Sequence, residues 1–199
     1  MKRPPVALLV CALTGAGASA AAAQSWCVPA TAIPYNRNMP GITNVTLGTI
    51  NRSSMPIENF PNNSYVNTGL QTELKAGATY TIGIGHSRDS VAFPRVRNNI
   101  RVWIDYDKNG SFADPGELVV SQDSVAVGAS SFTFTIPATL APVIDTRMRV
   151  TAKMSAEGGH SLPTACDDPP DRIKYHGEFE DYTVSIAGAA KPAKPEGGV

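Results

Sequence analysis

The sequence predicts an all-β protein: a two-sheet antiparallel β-sandwich, immunoglobulin- or jelly-roll-like, closed by one disulfide. Three observations predict it. Several segments alternate apolar and polar residues with a period of two, which marks a half-buried strand. No window beyond the N-terminal stretch sustains the i, i+3, i+4, i+7 apolar pattern of a helix. Seventeen glycines and sixteen prolines punctuate the chain between the alternating segments.

The strand candidates, in order, are 45–50, 79–84, 100–104, 132–136, 148–154 and 182–186. In 79–84 the apolar side is Tyr80, Ile82 and Ile84; in 100–104 it is Ile100, Val102 and Ile104, against Arg101 and Trp103. Met148, Val150, Ala152 and Met154 alternate with Arg149, Thr151 and Lys153, and Tyr182, Val184 and Ile186 close the set. Six or seven such strands suit two packed sheets, each with one buried and one wet face, with a closed barrel as the alternative. The stretch 51–67, rich in Asn, Ser and Pro, reads as a long surface loop.

Residues 1–23 read as a secretory signal peptide. Lys2 and Arg3 precede the apolar run Val6–Leu13, and small residues end in Ala21-Ala22-Ala23. Cleavage is expected before Gln24, with Ala20 as the alternative site. The apolar run is far shorter than the roughly 20 residues a membrane span needs. Cys11 follows Val10 where a lipidated cysteine wants a small residue, so a lipoprotein is not expected. Residues 24–187 then form one domain, and 188–199, built of Ala, Lys, Pro, Glu and Gly, form a disordered tail. The expected location is secreted, either extracellular or periplasmic.

Without Lys2 and Arg3 the chain carries 15 basic and 17 acidic side chains, a net charge of −2 with His neutral. So small a charge gives no electrostatic case for nucleic acid or an anionic membrane surface. Losing Cys11 leaves Cys27 and Cys166, 139 residues apart. In an oxidising compartment they most simply pair, the alternative being two free thiols. Neither has the CxxC neighbour of a zinc site.

The sharpest local signal is Asp105-Tyr106-Asp107-Lys108-Asn109-Gly110-Ser111, continuing to Asp114 and Glu117. Oxygen-bearing side chains at alternate positions, followed by glycine, let a short loop wrap a hard cation, and calcium accepts six to eight oxygens. Asp105, Asp107 and Asn109 match positions 1, 3 and 5 of such a loop, Gly110 permits the turn at position 6, and Ser111 would offer its carbonyl. Asp114 and Glu117 complete the candidate set. Glu117 stands at position 13 where an EF-hand places its glutamate at 12, and strands rather than helices flank the loop. The alternative is a polar hairpin, since Asn-Gly is itself a turn signal. A structural calcium is expected, with magnesium disfavoured because it keeps more water.

Gly177-Glu178-Phe179-Glu180-Asp181-Tyr182 resembles the Gly-Glu-Val-Glu-Asp-Tyr signature of the GEVED domain, found in many exported bacterial proteins. Trp103-Ile104-Asp105-Tyr106-Asp107-Lys108-Asn109-Gly110-Ser111-Phe112 is similar to a second segment of that family, and Gly116-Glu117, Ile136-Pro137, Thr146–Val150 and the cysteine pair resemble other parts in order. The resemblance runs from about Cys27 to Ile186. It implies a β-sandwich module of the kind appended to larger secreted proteins, including proteases and adhesins. No catalytic neighbour accompanies it here, so no protease function is carried over.

In a strand, Glu178 and Glu180 point to one face and Asp181 to the other. Like charges need a cation, an arginine or water, so Glu180 or Glu178 is expected to fold toward the Asp105 loop or pair with Arg147 or Arg149. A solvated acidic strand edge is the alternative. Gly85-His86-Ser87-Arg88-Asp89 lacks the final glycine and the following helix of a nucleophile elbow. His86, His160 and His176 have no zincin spacing, and only His176, beside the signature, is a candidate ligand. Trp26, Tyr35, Trp103 and Tyr106 could form an aromatic binding face, though core packing is the better expectation for Trp103.

The function expected is a non-catalytic accessory binding or adhesion module that meets an extracellular protein or glycan. The alternatives are a small hydrolase of glycans or peptides using the acidic cluster, and a protein that scaffolds or inhibits a secreted enzyme.

Overall fold

A computed structural model of the protein describes residues 25–29, 40–56, 58, 64–88, 90–91, 93–155, 161–168 and 177–189. Residues 1–24, where a signal peptide is expected, Tyr35, His160, His176 and the chain from 190 onward lie outside the described residues. Within the described residues there are nine strands and no helix, and hence no helix long and apolar enough to cross a membrane. The strands are β1 (Ile42–Leu47), β2 (Ile50–Ser53), β3 (Tyr65–Lys75), β4 (Thr79–His86), β5 (Asn98–Ile104), β6 (Leu118–Val125), β7 (Gly128–Thr135), β8 (Val143–Met154) and β9 (Gly177–Ala187).

They form two sheets, ordered β2-β1-β4-β7 and β3-β9-β8-β5-β6. The expected sandwich is thus present, with one departure: β3 runs parallel to β9, while the other pairs are antiparallel. The period-two apolar faces meet between the sheets. Ile82 and Ile84 of β4 share one buried cluster with Ile100, Val102 and Ile104 of β5, Met148 and Val150 of β8, and Tyr182, Val184 and Ile186 of β9.

The stretch read as a loop over 51–67 contains most of β2 and the start of β3, and β6 also escaped the sequence pattern. β2, β3 and β6 are all edge strands. β3 alternates weakly, with only Thr72 and Leu74 buried. An edge strand that buries little carries little of the periodic signal by which strands are read.

The outer face of the larger sheet is not wet at its centre. Trp103, Phe112 and Phe179 form a second buried cluster there, with Trp26, Tyr65 and Ala165 packed against it. Cys27 and Cys166 are joined in the expected disulfide, with Cα atoms 5.8 Å apart, which fastens 25–29 and 161–168 over this face. The polar half of the alternation, expected to meet water, is therefore buried: Arg101, Arg149, Thr151 and Lys153 are all under cover. Such burial is tolerable only where the groups are hydrogen-bonded, and they are: Thr151 donates to the Glu178 carbonyl, and Lys153 Nζ to Ser161 O and Oγ.

Candidate metal centre and the signature strand

The thirteen residues 105–117 connect β5 to β6. The strand pairing continues into their base, where Ile104 N donates to Glu117 O and Asp105 N to Arg147 O. Asp105 and Glu117 are thereby anchored on adjacent strand ends, and both are buried. Inside the loop, Lys108 and Gly110 take positive φ, 59° and 85°. That curl turns backbone N–H groups inward: Asn109 N donates to Asp105 Oδ1 at 3.2 Å, and Gly110 N to Asp105 Oδ2 at 2.9 Å. Trp26 Nε1, from the disulfide-bound N-terminal segment, donates to the same Oδ2 at 2.7 Å.

One carboxylate oxygen each from Asp105, Asp107 and Glu117 comes within 4.8 Å of the others. Glu117 Oε1 accepts from Tyr106 N at 2.7 Å, while Oε2 is buried with no hydrogen-bond partner among the described residues. Burial, opposed by the Tyr106 hydrogen bond and reinforced by Asp105, Asp114 and Asp107, pushes the Glu117 carboxyl up to about 7. An acid so placed is starved of positive charge.

The other candidate ligands sit at the rim. Asn109 Nδ2 donates to Asp107 Oδ2 and to Asp114 Oδ2, and Asn109 Oδ1 accepts from Ser111 N. Its amide therefore presents nitrogen to the carboxylates, and turning it over would present oxygen instead. The Ser111 hydroxyl accepts from Ala113 N. The one-residue offset of Glu117 from an EF-hand does not keep it from the centre, because strand pairing rather than helix geometry delivers it.

The signature carboxylates do not join this loop. Glu178 and Glu180 face between the sheets and gather with Glu58. Arg52 forms ion pairs with both Glu58 and Glu180, and Tyr182 Oη donates to Glu180. Ile42 N donates to Glu178 Oε2 at 2.8 Å, while Glu178 Oε1 is buried without a hydrogen-bond partner among the described residues. Burial, then Glu180, raises the Glu178 carboxyl well above the usual range; Glu180 is also raised by burial, with Tyr182 and Arg52 opposing.

Arg147 and Arg149, expected near Glu178 or Glu180, pair with Asp181 instead, because all three sit on the covered outer face. The register explains it: Arg149 lies directly opposite Asp181, and Val150 opposite Glu180. All five Arg149 donors are used. Nε and one Nη2 hydrogen go to the two Asp181 oxygens at 2.7 and 2.8 Å. The others go to Cys27 O at 2.7 Å, Ala165 O at 2.6 Å and Cys27 Sγ at 3.1 Å. Asp181 Oδ2 also accepts from Tyr65 Oη at 2.8 Å and Arg147 Nη1 at 3.1 Å. The solvated acidic edge is excluded, since Glu178, Glu180 and Asp181 are at most 1% exposed.

The proposed aromatic face is likewise corrected. Trp103 and Tyr106 are buried and Trp26 is half-buried, its ring 4.4 Å from the Arg147 guanidinium. His86 is a buried residue whose Nδ1 meets Asn98 Nδ2 at 2.9 Å, and burial lowers its pKa to about 4. The sequence reading missed Arg52 and Glu58, which fall in the stretch taken for a loop and carry no motif.

Fold and site thus define a class: a disulfide-tied β-sandwich with an acidic loop between two strands and a carboxylate-rich strand locked by arginines. Residues 99–185 match the family model of the GEVED domain. The match takes in β5 to β9 and the acidic loop, and leaves β1 to β4 outside it. No curated protein matches the chain.

Proposed function

We propose that the chain is an exported, non-catalytic, calcium-stabilised module that serves binding or adhesion at or outside the cell surface. The observation that carries the calcium is the convergence of Asp105, Asp107 and Glu117, with Glu117 Oε2 buried and unpartnered. Like charges confined without a counter-ion raise one another's pKa, and a divalent cation replaces that repulsion with attraction. Asn109, Asp114 and the Ser111 carbonyl would supply the further oxygens that calcium takes.

The hydrolase reading has less support. A hydrolase presents its carboxylates in a concave cleft that holds substrate. Asp105 and Glu117 are buried at the loop base, and the cleft beside the loop is walled by neither.

The test is calorimetric titration of chelator-treated protein. Extracellular calcium modules bind at about 10⁻⁴–10⁻³ M. Heat that saturates in that range, and is lost when Asp105 and Asp107 are both Ala, supports the reading; no heat at about 10 mM calcium overturns it.

A further inference from the structure

On the outer face of the larger sheet, beside the acidic loop, lies a cleft of about 440 Å³. Its floor is Trp103 and Leu118 from β5 and β6. One wall is Phe112 and Ala113 of the acidic loop, and the other is Pro163 and Ala165 of the segment that Cys166 fastens down. The volume lies in the range of small-ligand sites, which are mainly apolar with a few polar groups that orient the ligand. The polar groups here are Ser111, Thr164 and Asp168.

Leu118 is 44% exposed, so part of its apolar surface is open to an occupant. An apolar cleft favours an occupant that buries a large side chain.

Charge selects what accompanies that side chain. Asp168 is exposed at the edge, and the wall at Phe112 and Ala113 belongs to the loop that carries Asp105, Asp107, Asp114 and Glu117. Four carboxylates remain net anionic even with one divalent cation bound. The arginines on this face are engaged elsewhere: Arg101 with Asp123, Arg147 and Arg149 with Asp181. Asp168 is the one charged side chain among the residues that line the cleft.

We infer that the cleft receives a segment of a partner protein presenting a large apolar side chain next to a lysine or arginine. The apolar group fills the space between Phe112 and Pro163, and the cation lies against Asp168. This deepens the binding-module reading by naming the surface and the chemistry of the partner.

The test is a titration of ¹⁵N-labelled protein, once with calcium and once with chelator, followed by amide chemical shifts. The probes are the capped tetrapeptides Ac-Gly-Phe-Lys-Gly-NH₂, Ac-Gly-Phe-Glu-Gly-NH₂ and Ac-Gly-Ala-Lys-Gly-NH₂, with cellotetraose as the glycan arm. The Phe–Lys peptide is expected to shift Ala113, Leu118 and Thr164 with a millimolar dissociation constant. Reversing the charge weakens binding about fivefold, and losing the ring weakens it at least about tenfold. Asp168→Lys inverts the order of the Lys and Glu peptides, and Leu118→Ala weakens both; both residues are exposed, so the fold tolerates the changes. Equal affinity for the Lys and Glu peptides, shifts confined to other surfaces, binding of cellotetraose alone, or no shifts at about 10 mM peptide overturns the inference. If calcium binds by calorimetry and the peptides do not, the cleft assignment fails and the calcium reading stands. If the peptide binds in chelator and calcium gives no heat, the reverse holds.

Discussion

Breaking the pair between Arg149 and Asp181 is expected to destabilise the protein more than any surface substitution. Both side chains are wholly buried, and removing one partner from such a pair typically costs about 3–5 kcal/mol, because the other is left charged and unsolvated. The two single variants should differ. Asp181→Asn leaves Arg149 charged with only the carbonyls of Cys27 and Ala165, the Cys27 sulfur and a neutral amide, so its cost falls in the upper part of that range. Arg149→Met leaves Asp181 with Arg147 Nη1 and Tyr65 Oη, which still donate to Oδ2, so the remaining anion is partly compensated and the cost falls at the lower end. The double variant should recover part of the loss, with a coupling energy of about 2–3 kcal/mol. Urea denaturation at constant m-value reads these differences. The coupling should persist at about 0.5 M salt, since a buried pair is poorly screened. A cost below about 1 kcal/mol for Asp181→Asn, or singles that add within about 0.5 kcal/mol, would refute the reasoning.

Three further outcomes are expected. Ten millimolar calcium, at about a hundred times the dissociation constant, should stabilise the protein by about 2.7 kcal/mol, which raises Tm by about 5–10 °C; Asp105→Ala with Asp107→Ala should abolish that rise, leaving the same Tm with calcium as in chelator. Glu178→Gln should flatten the fall of stability with rising pH: the folded protein holds the Glu178 proton more tightly than the unfolded chain does, so the wild type loses stability as pH climbs from the ordinary glutamate value toward the folded one. The variant should be relatively more stable at pH 8 than at pH 4 by chemical denaturation, and equal slopes would count against a buried acid there. Replacing both Cys27 and Cys166 with Ser should cost about 3–5 kcal/mol, since their bridge closes a 139-residue separation; a Cm unchanged by the replacement would place the stabilisation elsewhere.

The core strands were legible because β4, β5, β8 and β9 bury one face against the other sheet, and Ile82, Val102, Val150 and Val184 announce that face every second residue. The disulfide and the gathering of Asp105, Asp107 and Glu117 were legible because few pairings were open: two cysteines beyond residue 23, and a short loop whose spacing turns oxygens inward. The destination of the signature charges was not. Whether Asp181 or Glu180 meets Arg149 depends on the register of β8 against β9, and a shift of one residue would exchange them. Nor does alternation reveal that Arg149 and Lys153 are buried. Period two says which side chains share a face, and only the disulfide-held cover over that face decides whether it is wet.

That cover links the candidate metal loop to the signature strand, and the link has a measurable consequence. Residues 25–29 reach three places at once: Trp26 Nε1 donates to Asp105 Oδ2, the Trp26 ring lies under Arg147, and the Cys27 carbonyl accepts from Arg149. Groups that orient a ligating carboxylate commonly change metal affinity about 10–100-fold. Trp26→Phe keeps a ring under Arg147 and removes only the donor, so calcium affinity should fall about tenfold with little loss of stability in chelator. Reducing Cys27–Cys166 releases the same segment and should weaken calcium by a similar factor. The two losses should not add, because each acts by freeing Asp105. Coupling between sites is reciprocal, so calcium must in turn stabilise the disulfide against a thiol redox buffer by that factor. Equilibration with reduced and oxidised dithiothreitol, with calcium and with chelator, reads this directly. A bridge whose redox equilibrium ignores calcium would show that Trp26 touches the metal loop without orienting it.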